Sequence, residues 1–358
     1  MSSLFSELVI KSVRFKNRIA VSPMCQYSAV DGFVNDWHLV HLGSRAVGGA
    51  ALVIQEATAV SPEGRISYGD LGIWKDEHIP ALKRINNFIR EHGAVPGIQL
   101  AHAGRKASCD LSWNGGAQLV TGEHSWLTVS ASAIPFKETE RPPLALDADG
   151  IRQVISDFRD AARRALEAGY QVIEIHAAHG YLINQFLSPT SNKRTDQYGG
   201  SFENRSRLLL DIIHAVQLEW PADLPIFVRI SASEWVEGGW TIDDSVKLAV
   251  VLKEKGIDLI DSSSGGNSLT QKITVGPGYQ VPFAEEIRER AGIMTAAVGL
   301  ITTAAQAEEV VKEGKADLVF LAREMLRDPY FPMRAAVELG ADHTWAVQYE
   351  RAKPRTGR

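Results

Sequence analysis

The stretch PIFVRISASEWVEGGWTIDDSVKLAVVLKEKG, residues 225–256, carries the pattern that decides the fold. A short apolar run leads through a polar turn into a segment whose apolar residues recur with the helical period of 3.6. Thr241 precedes the helical segment and Gly256 follows it, as is typical of helix caps. Because the apolar run does not alternate with polar residues, it predicts a strand that is covered on both faces, as in a parallel sheet.

This strand and helix unit recurs along the whole chain. Eight strand segments are predicted: RIAVSP from Arg18, ALVIQEA from Ala51, VPGIQLAH from Val95, VIEIHAA from Val172, PIFVRIS from Pro225, DLIDSSS from Asp258, IMTAAVG from Ile293 and ADLVFLAR from Ala316. Amphipathic helices follow, among them segments that begin at Asp76, Asp147, Phe202, Thr241, Pro282 and Thr302. Eight such units predict an α/β fold, a (β/α)8 TIM barrel, rather than an open doubly wound sheet.

We therefore expect residues 1–358 to form one domain. Two connections are much longer than a barrel requires, residues 103–146 and residues 182–200, and both follow a strand. In a TIM barrel such connections rise from the C-terminal face, where active sites are built.

Composition limits the class of ligand. The formal net charge is -5 at pH 7, and neither a basic stripe for nucleic acid nor a polybasic segment for lipid is present in the sequence. No apolar run approaches the length of a membrane span, and the N-terminus lacks a secretory pattern. Two cysteines, Cys25 and Cys109, cannot build a disulfide framework, so we expect a cytoplasmic protein that acts on small molecules.

The C-terminal ends of the strands supply the candidate site residues. They are Ser22, Pro23, Met24 and Cys25 after the first strand, Glu56 and Ala57 on the second, Gln99 and His102 on the third, His176 and His179 on the fourth, Arg229 on the fifth, Gly299 on the seventh and Arg323 on the eighth. This set comprises an amide, an arginine, a cysteine and a pair of histidines. It differs from the paired carboxylates that many hydrolases use.

The last two strands predict a phosphate site, with Gly299 in the turn, Thr302 as N-cap of the next helix, and Arg323 beside them. At the same end of the barrel, across from this phosphate site, Arg229 and Gln99 are suited to bind the ring of a flavin. A cation stabilises the negative charge of the reduced ring, and an amide matches the edge at N3. Because the Gly-rich dinucleotide fingerprint is absent, FMN is favoured over FAD, with NAD(P)H as a visiting reductant.

His176 and His179 allow more than one interpretation. Both could donate an N–H to one oxygen, with Tyr181 as a proton donor. They could also bind a metal with Cys25, as in a metal-dependent barrel hydrolase or lyase. Both imidazoles could instead merely satisfy buried carbonyls. A third interpretation of the chain is a flavin-free binding protein that retains the barrel without turnover.

Several motifs together resemble the Old Yellow Enzyme family of FMN-dependent ene-reductases, in its bacterial thermophilic-like class. They are SPMCQYS, LVIQEATAVSPEGR, GIQLAHAGRKA, VIEIHAAHGYLINQFLSPTSNKRTDQYGGSFENRSR, VRIS, AAVGLIT, LAREMLRDP and QYER, and they span nearly the whole chain in order. The resemblance implies a TIM barrel, non-covalent FMN, NAD(P)H as reductant and no metal. It also implies ping-pong reduction of activated C=C bonds, in α,β-unsaturated carbonyl or nitro compounds, through flavin N5.

The resemblance also implies a role for individual residues. Flavin contacts fall on Ser22, Pro23, Met24, Cys25, Ala57, Gln99, Arg229, Gly299, Ala322 and Arg323. His176 and His179 would bind the substrate carbonyl, Tyr181 would donate the proton, and Tyr27 would contact the substrate. Cys25 resembles a residue that tunes the flavin potential.

Arg351 resembles an arginine that reaches into the site of a neighbouring subunit, which implies a homodimer or homotetramer. Three features depart from the family pattern. Ala322 replaces a usual glycine, residues 109–127 look like an insertion, and the chain continues past Arg351 as AKPRTGR.

Overall fold

The computed structural model describes residues 2–354, and within them eight parallel strands close into a barrel. In chain order the strands are β1 Ile19–Val21, β2 Leu52–Ala59, β3 Val95–Ala101, β4 Val172–Ala177, β5 Ile226–Ser231, β6 Leu259–Ser263, β7 Met294–Ala297 and β8 Leu318–Leu321. Each strand pairs with its neighbours in the chain, and β8 closes the barrel against β1. The predicted TIM barrel is confirmed.

Helices cover the outside of the barrel. They are α1 Asp36–Val47, α2 Ile79–Glu91, α3 Ala148–Glu167, α4 Leu182–Leu187, α5 Phe202–Gln217, α6 Ile242–Glu254, α7 Val281–Ala291, α8 Ala304–Lys312, α9 Arg323–Arg327 and α10 Phe331–Glu338. None of them is long and apolar enough to cross a membrane.

The helix caps explain where the elements begin. The side chain of Asp147 accepts the N–H of Gly150, and α3 starts there, as the sequence predicts. The predicted cap at Thr302 is wrong, because the N-cap of α8 is Thr303, which has extended backbone and accepts the N–H of Gln306. Thr302 instead donates its own backbone N–H to the Gln306 side chain.

An apolar plug fills the N-terminal end of the barrel. A short antiparallel hairpin, Leu8–Ile10 with Val13–Phe15, precedes β1. Its residue Phe15 packs in one cluster with Phe227 and Phe320 from inside the barrel. Each fully buried phenylalanine contributes about 1.5–3 kcal/mol, so this end of the barrel is a core. Polar chemistry is therefore concentrated at the opposite end.

The connection of residues 182–200 differs from the polar turn that the sequence predicts, since it begins with α4. All six residues of α4 are buried. Its apolar side chains join the largest core cluster, while Asn184 is satisfied by the N–H of Gly180, at 2.7 Å. This short helix fixes the segment that carries the two candidate histidines.

Candidate active site

Five buried polar side chains form the floor of the candidate site. The Nη1 of Arg229 donates to Ser22 Oγ at 3.1 Å, and its Nε lies 3.1 Å from Asp261 Oδ2. Gln99 donates from Nε2 to Glu174 Oε1 at 2.7 Å. The structure thus brings together Ser22, Gln99 and Arg229, as predicted, and adds two carboxyl groups. Glu174 and Asp261 were not among the predicted site residues, although an acidic residue within an apolar strand is a recognisable signal.

The predicted phosphate site lies at the ends of β7 and β8. Gly299 has φ +128°, and a Cβ there would lie 3.0 Å from Gln280 Nε2 and 3.2 Å from a ring carbon of Tyr279. Only glycine fits this turn without strain. Arg323 is exposed at the start of α9, while its neighbour Glu324 pairs with other arginines. Within residues 2–354 the Arg323 guanidinium has no ion-pair partner, so it can meet an anion.

Ala322 is compatible with this phosphate site despite the glycine that the family pattern favours. Its backbone has φ -99° and ψ -98°, so φ lies outside the left-handed region that favours glycine, while ψ lies outside the main helical and extended regions.

The rings of His176 and His179 lie side by side, with centroids 5.2 Å apart and an interplanar angle of 87°. His179 has φ +59°, a left-handed conformation that returns its ring toward His176 after β4 ends. Gly266 packs so closely against this turn that a Cβ on it would lie 2.6 Å from the Cα of His179. This close packing and the left-handed backbone of His179 explain how two histidines three positions apart can face the same point.

Both imidazoles are neutral at physiological pH. Burial lowers the pKa of each well below 6.5, and the charge of Arg229 adds to this effect. The Nδ1 of His176 accepts the N–H of Ala178 at 3.3 Å, which leaves the proton on Nε2. The Nε2 of His179 lies 2.7 Å from Ser263 Oγ. If Ser263 donates in that bond, His179 carries its proton on Nδ1, and each ring has one free N–H.

Tyr181 stands next to this pair. Its ring centroid is 5.1 Å from that of His176, and burial raises the pKa of the phenol well above 10, so the hydroxyl stays protonated. The ammonium of Lys106 lies 5.0 Å from the Tyr181 ring centre and donates to the carbonyls of His179 and Gly266 at 2.8 and 3.0 Å. Lys106 was not among the predicted site residues, although it ends the short 3₁₀ helix Gly104–Lys106 that follows β3.

The segment of residues 109–127 extends the rim of the site. Its residue Trp113, 63% exposed, meets the Tyr27 ring edge-on with centroids 6.3 Å apart. A cavity of about 230 Å³, lined in part by Tyr27, Lys106 and Cys109, separates this segment from the barrel. Cys25 stands two positions before Tyr27 in the chain. Burial raises the pKa of the Cys25 thiol, so the thiol is protonated.

Arg351 lies in the 3₁₀ helix Val347–Ala352, where its side chain is exposed. In the same helix Tyr349 packs on Tyr330, and the two segments line an apolar groove of about 540 Å³. The segment AKPRTGR that follows Arg351 lies partly outside the described residues, which end at Pro354.

The described residues contain no cluster of three His, Cys, Asp or Glu side chains arranged to hold a metal. They do contain an amide and an arginine at the floor, an anion cradle at one side, and neutral N–H donors above. This donor set fits a phosphorylated flavin, since it provides a cation for the ring and a cation for the phosphate.

Fold and site together define a flavin-dependent oxidoreductase. The chain belongs to the NADH:flavin oxidoreductase / NADH oxidase family, the family of the Old Yellow Enzyme, whose profile matches residues 3–342. Its cofactor is FMN and its reductant is NAD(P)H. The predicted resemblance is confirmed at the level of the family.

The comparisons also identify full-length relatives. The chain is 54% identical over 350 residues to the NADPH dehydrogenase of Geobacillus sp. (strain WCH70), covering 97% of this chain and 98% of the relative. It is 51% identical over 354 residues to the NADPH dehydrogenase of Listeria innocua serovar 6a (strain ATCC BAA-680 / CLIP 11262), covering 98% and 99%. Morphinone reductase in complex with tetrahydroNAD superposes with a TM-score of 0.77 at 28% identity, covering 96% and 92%.

Proposed function

We propose that this enzyme is an NAD(P)H-dependent ene-reductase that reduces the activated C=C bond of α,β-unsaturated carbonyl or nitro compounds in a ping-pong cycle. The observation that carries the proposal is the trio of His176, His179 and Tyr181, in which two neutral imidazoles and a protonated phenol pack together. FMN held in this site would supply the hydride chemistry between NAD(P)H and the β-carbon of the alkene.

The floor of the barrel would hold the flavin ring. Ser22, Pro23, Met24, Cys25, Ala57, Gln99 and Arg229 are assigned to the ring, and Gly299, Ala322 and Arg323 to the phosphate. The support is that Arg229 is 5% exposed and anchored between Ser22 and Asp261, so its charge is fixed before any ligand binds. A preorganised cation costs no reorganisation when negative charge develops nearby.

The histidine pair would bind the oxygen of the substrate. Two N–H donors aimed at one oxygen stabilise the negative charge that develops there as the β-carbon accepts a hydride, by about 2–4 kcal/mol per donor. Burial keeps both imidazoles neutral, so each would act as a hydrogen-bond donor that stabilises the oxyanion without giving up its proton. Tyr181 would then protonate the α-carbon, and Tyr27 would contact the substrate from the rim.

We further propose that two or four chains assemble and that Arg351 enters the site of a neighbour. The support is the exposed position of Arg351 on a C-terminal segment, beside Val347, which is 82% exposed, and the apolar groove lined by Tyr330 and Tyr349. An exposed apolar surface of this kind is typical of an interface. A metal-dependent hydrolase is not favoured, because the family match is to flavin oxidoreductases.

The proposal is tested by separating the two half-reactions. Purified holoprotein is reduced without oxygen by NADPH that carries deuterium at C4, and cyclohexenone or a nitroalkene is then added. We expect the flavin absorbance to return and the deuterium to appear on the β-carbon of the saturated product. Reduced enzyme that is reoxidised by oxygen, but by no enone or nitroalkene, would refute ene-reduction while leaving the family assignment intact.

A further inference from the structure

An unusual set of charges lies inside the barrel beneath the histidine pair. Gln99, Glu174, Arg229 and Asp261 come from four consecutive strands, β3 to β6, and none is more than 5% exposed. The strand register places Glu174 opposite Gln99, and Arg229 opposite both His176 and Asp261. These four side chains, which we call the buried charge layer, therefore share the interior of the barrel.

The buried charge layer holds one cation and two carboxyl groups. Arg229 faces Asp261 at 3.1 Å, while Glu174 receives only the amide N–H of Gln99, at 2.7 Å. The Glu174 and Asp261 carboxyl groups lie within hydrogen-bonding reach of each other. Among the described residues, Glu174 Oε2 and both Asp261 oxygens find no hydrogen-bond donor. Buried acceptors without a donor are costly, and one proton placed between the two carboxyls supplies the missing donor.

Electrostatics points to the same proton. Two carboxylates in contact inside a low-dielectric interior cannot both ionise, and one arginine can balance only one of them. Burial raises the pKa of Glu174 well above its ordinary value, and the neighbouring Asp261 charge raises it further. Burial also raises the pKa of Asp261, where the adjacent Arg229 is the largest opposing effect. Arg229 lowers the pKa of Glu174 as well, but there the charge of Asp261 is the larger effect and acts in the opposite direction. Glu174 is thus the group that keeps the proton, and Asp261 is the carboxylate.

We propose that Glu174 and Asp261 are positioning residues which share one proton, with Glu174 donating to Asp261, and that this proton sets how strongly the site prefers reduced FMN. With the proton in place, Arg229 and Asp261 balance and the layer is neutral. Without it, the layer would carry a net negative charge beneath the anionic reduced flavin and would weaken its binding. Glu174 also sets the orientation of the Gln99 amide. The Nε2 of Gln99 donates to Glu174 Oε1, so the amide oxygen of Gln99 can accept a hydrogen bond from a ligand.

This inference rests on the proposed placement of Arg229 against the flavin, but it does not require enone reduction. The test is the two-electron reduction potential of bound FMN, measured with a chemical reductant. Glu174→Gln replaces a protonated acid with an amide of the same shape, so we expect the ratio of affinities for reduced and oxidised FMN to stay within about twofold of wild type. Asp261→Asn removes the carboxylate and should raise that ratio at least tenfold, an upward shift of about 30 mV.

Two controls accompany these variants. Ser262→Ala changes a buried neighbour of Asp261 on the opposite face of β6 and should leave the potential unchanged. Arg229→Met should lower the potential, and an unchanged value would show that Arg229 does not face the flavin, which overturns the inference together with that part of the proposed site. If Arg229→Met lowers the potential while Glu174→Gln raises it as much as Asp261→Asn, Glu174 is ionised and only the inference fails.

A measurement on the folded wild-type enzyme covers the case in which Asp261→Asn does not fold. Infrared difference spectra between wild type and Glu174→Gln should contain the C=O band of a protonated carboxylic acid, displaced when the protein is grown on isotope-labelled glutamate. A difference spectrum that shows only a lost carboxylate band would overturn the shared proton.

Discussion

The ammonium of Lys106 lies 5.0 Å above the Tyr181 ring and donates to the backbone carbonyl of His179 at 2.8 Å. One cation therefore contacts the proposed proton donor and the turn that carries the carbonyl-binding pair. A charged donor to a buried carbonyl contributes about 1.5–3 kcal/mol. The position of these catalytic groups thus depends on a residue from a different strand.

Replacing Lys106 by Met should change the pH dependence of stability. Burial lowers the pKa of Lys106 from 10.5 to about 8. Between these values the unfolded chain binds more protons than the folded one, so the Lys106 contribution to stability rises with pH. Urea unfolding at pH 7.5 and pH 10 should show wild type gaining on the order of 1–3 kcal/mol relative to Lys106→Met. A stability difference that is constant with pH would mean that Lys106 is charged throughout.

Tyr181→Phe should slow only one half-reaction. Its phenol is protonated, and only the step that forms the saturated product needs that proton. We expect reduction of the flavin by NADPH to keep its rate and reoxidation by an enone to fall by about 10²–10⁴-fold. Stopped-flow absorbance measures each step separately. Equal slowing of both would assign Tyr181 to the placement of the flavin or nicotinamide.

Ser263→Ala should weaken binding of phenol-type ligands, whose oxygen resembles the developing oxyanion. Ser263 Oγ lies 2.7 Å from His179 Nε2, and if the hydroxyl donates in this bond, His179 keeps its proton on Nδ1 as a donor for the ligand. Loss of this tautomer control should cost about 1–2 kcal/mol in ligand binding, and a direct His179→Ala change should cost more. Flavin absorbance titrations measure both. The matched control is Ser262→Ala, and equal weakening in it would remove Ser263 from this role.

Arg351 should act across a subunit interface, and complementation tests this. An Arg351→Ala chain is co-expressed with a chain carrying His176→Ala and His179→Ala, each poorly active alone. In a symmetric assembly the mixed dimer contains one site with both an intact barrel and an intact partner arginine, so activity should partly return.

Lys353→Ala provides the matched control for that experiment, because Lys353 is also exposed and lies two residues away, paired with Asp342 at 3.3 Å. Lys353→Ala should keep full activity as a homodimer. If mixed dimers with Arg351→Ala are present but inactive, the arginine does not complete a neighbouring site.

Much of the architecture was determined by local sequence. The apolar runs of the eight strands lie where the sequence predicts them, because β-branched and apolar stretches that are covered on both faces have few alternatives. Helix starts follow from single capping side chains such as Asp147 and Thr241. The cap of α8 shows the limit of predicting helix starts from local sequence. The sequence predicts Thr302 and the structure has Thr303, because two adjacent threonines are equivalent as caps until the backbone conformation selects one.

The site shows the boundary between sequence and tertiary structure most clearly. His176, His179, Tyr181 and Arg229 could be named in advance, since each stands at or just after the end of a predicted strand. The contact of Lys106 with Tyr181, and that of Arg229 with Asp261, join residues 75 and 32 positions apart, and no local pattern encodes them. Only the register of the closed barrel decides which strands present their side chains at the same height. Tertiary structure therefore determined which charges meet, and so which proton the interior must keep.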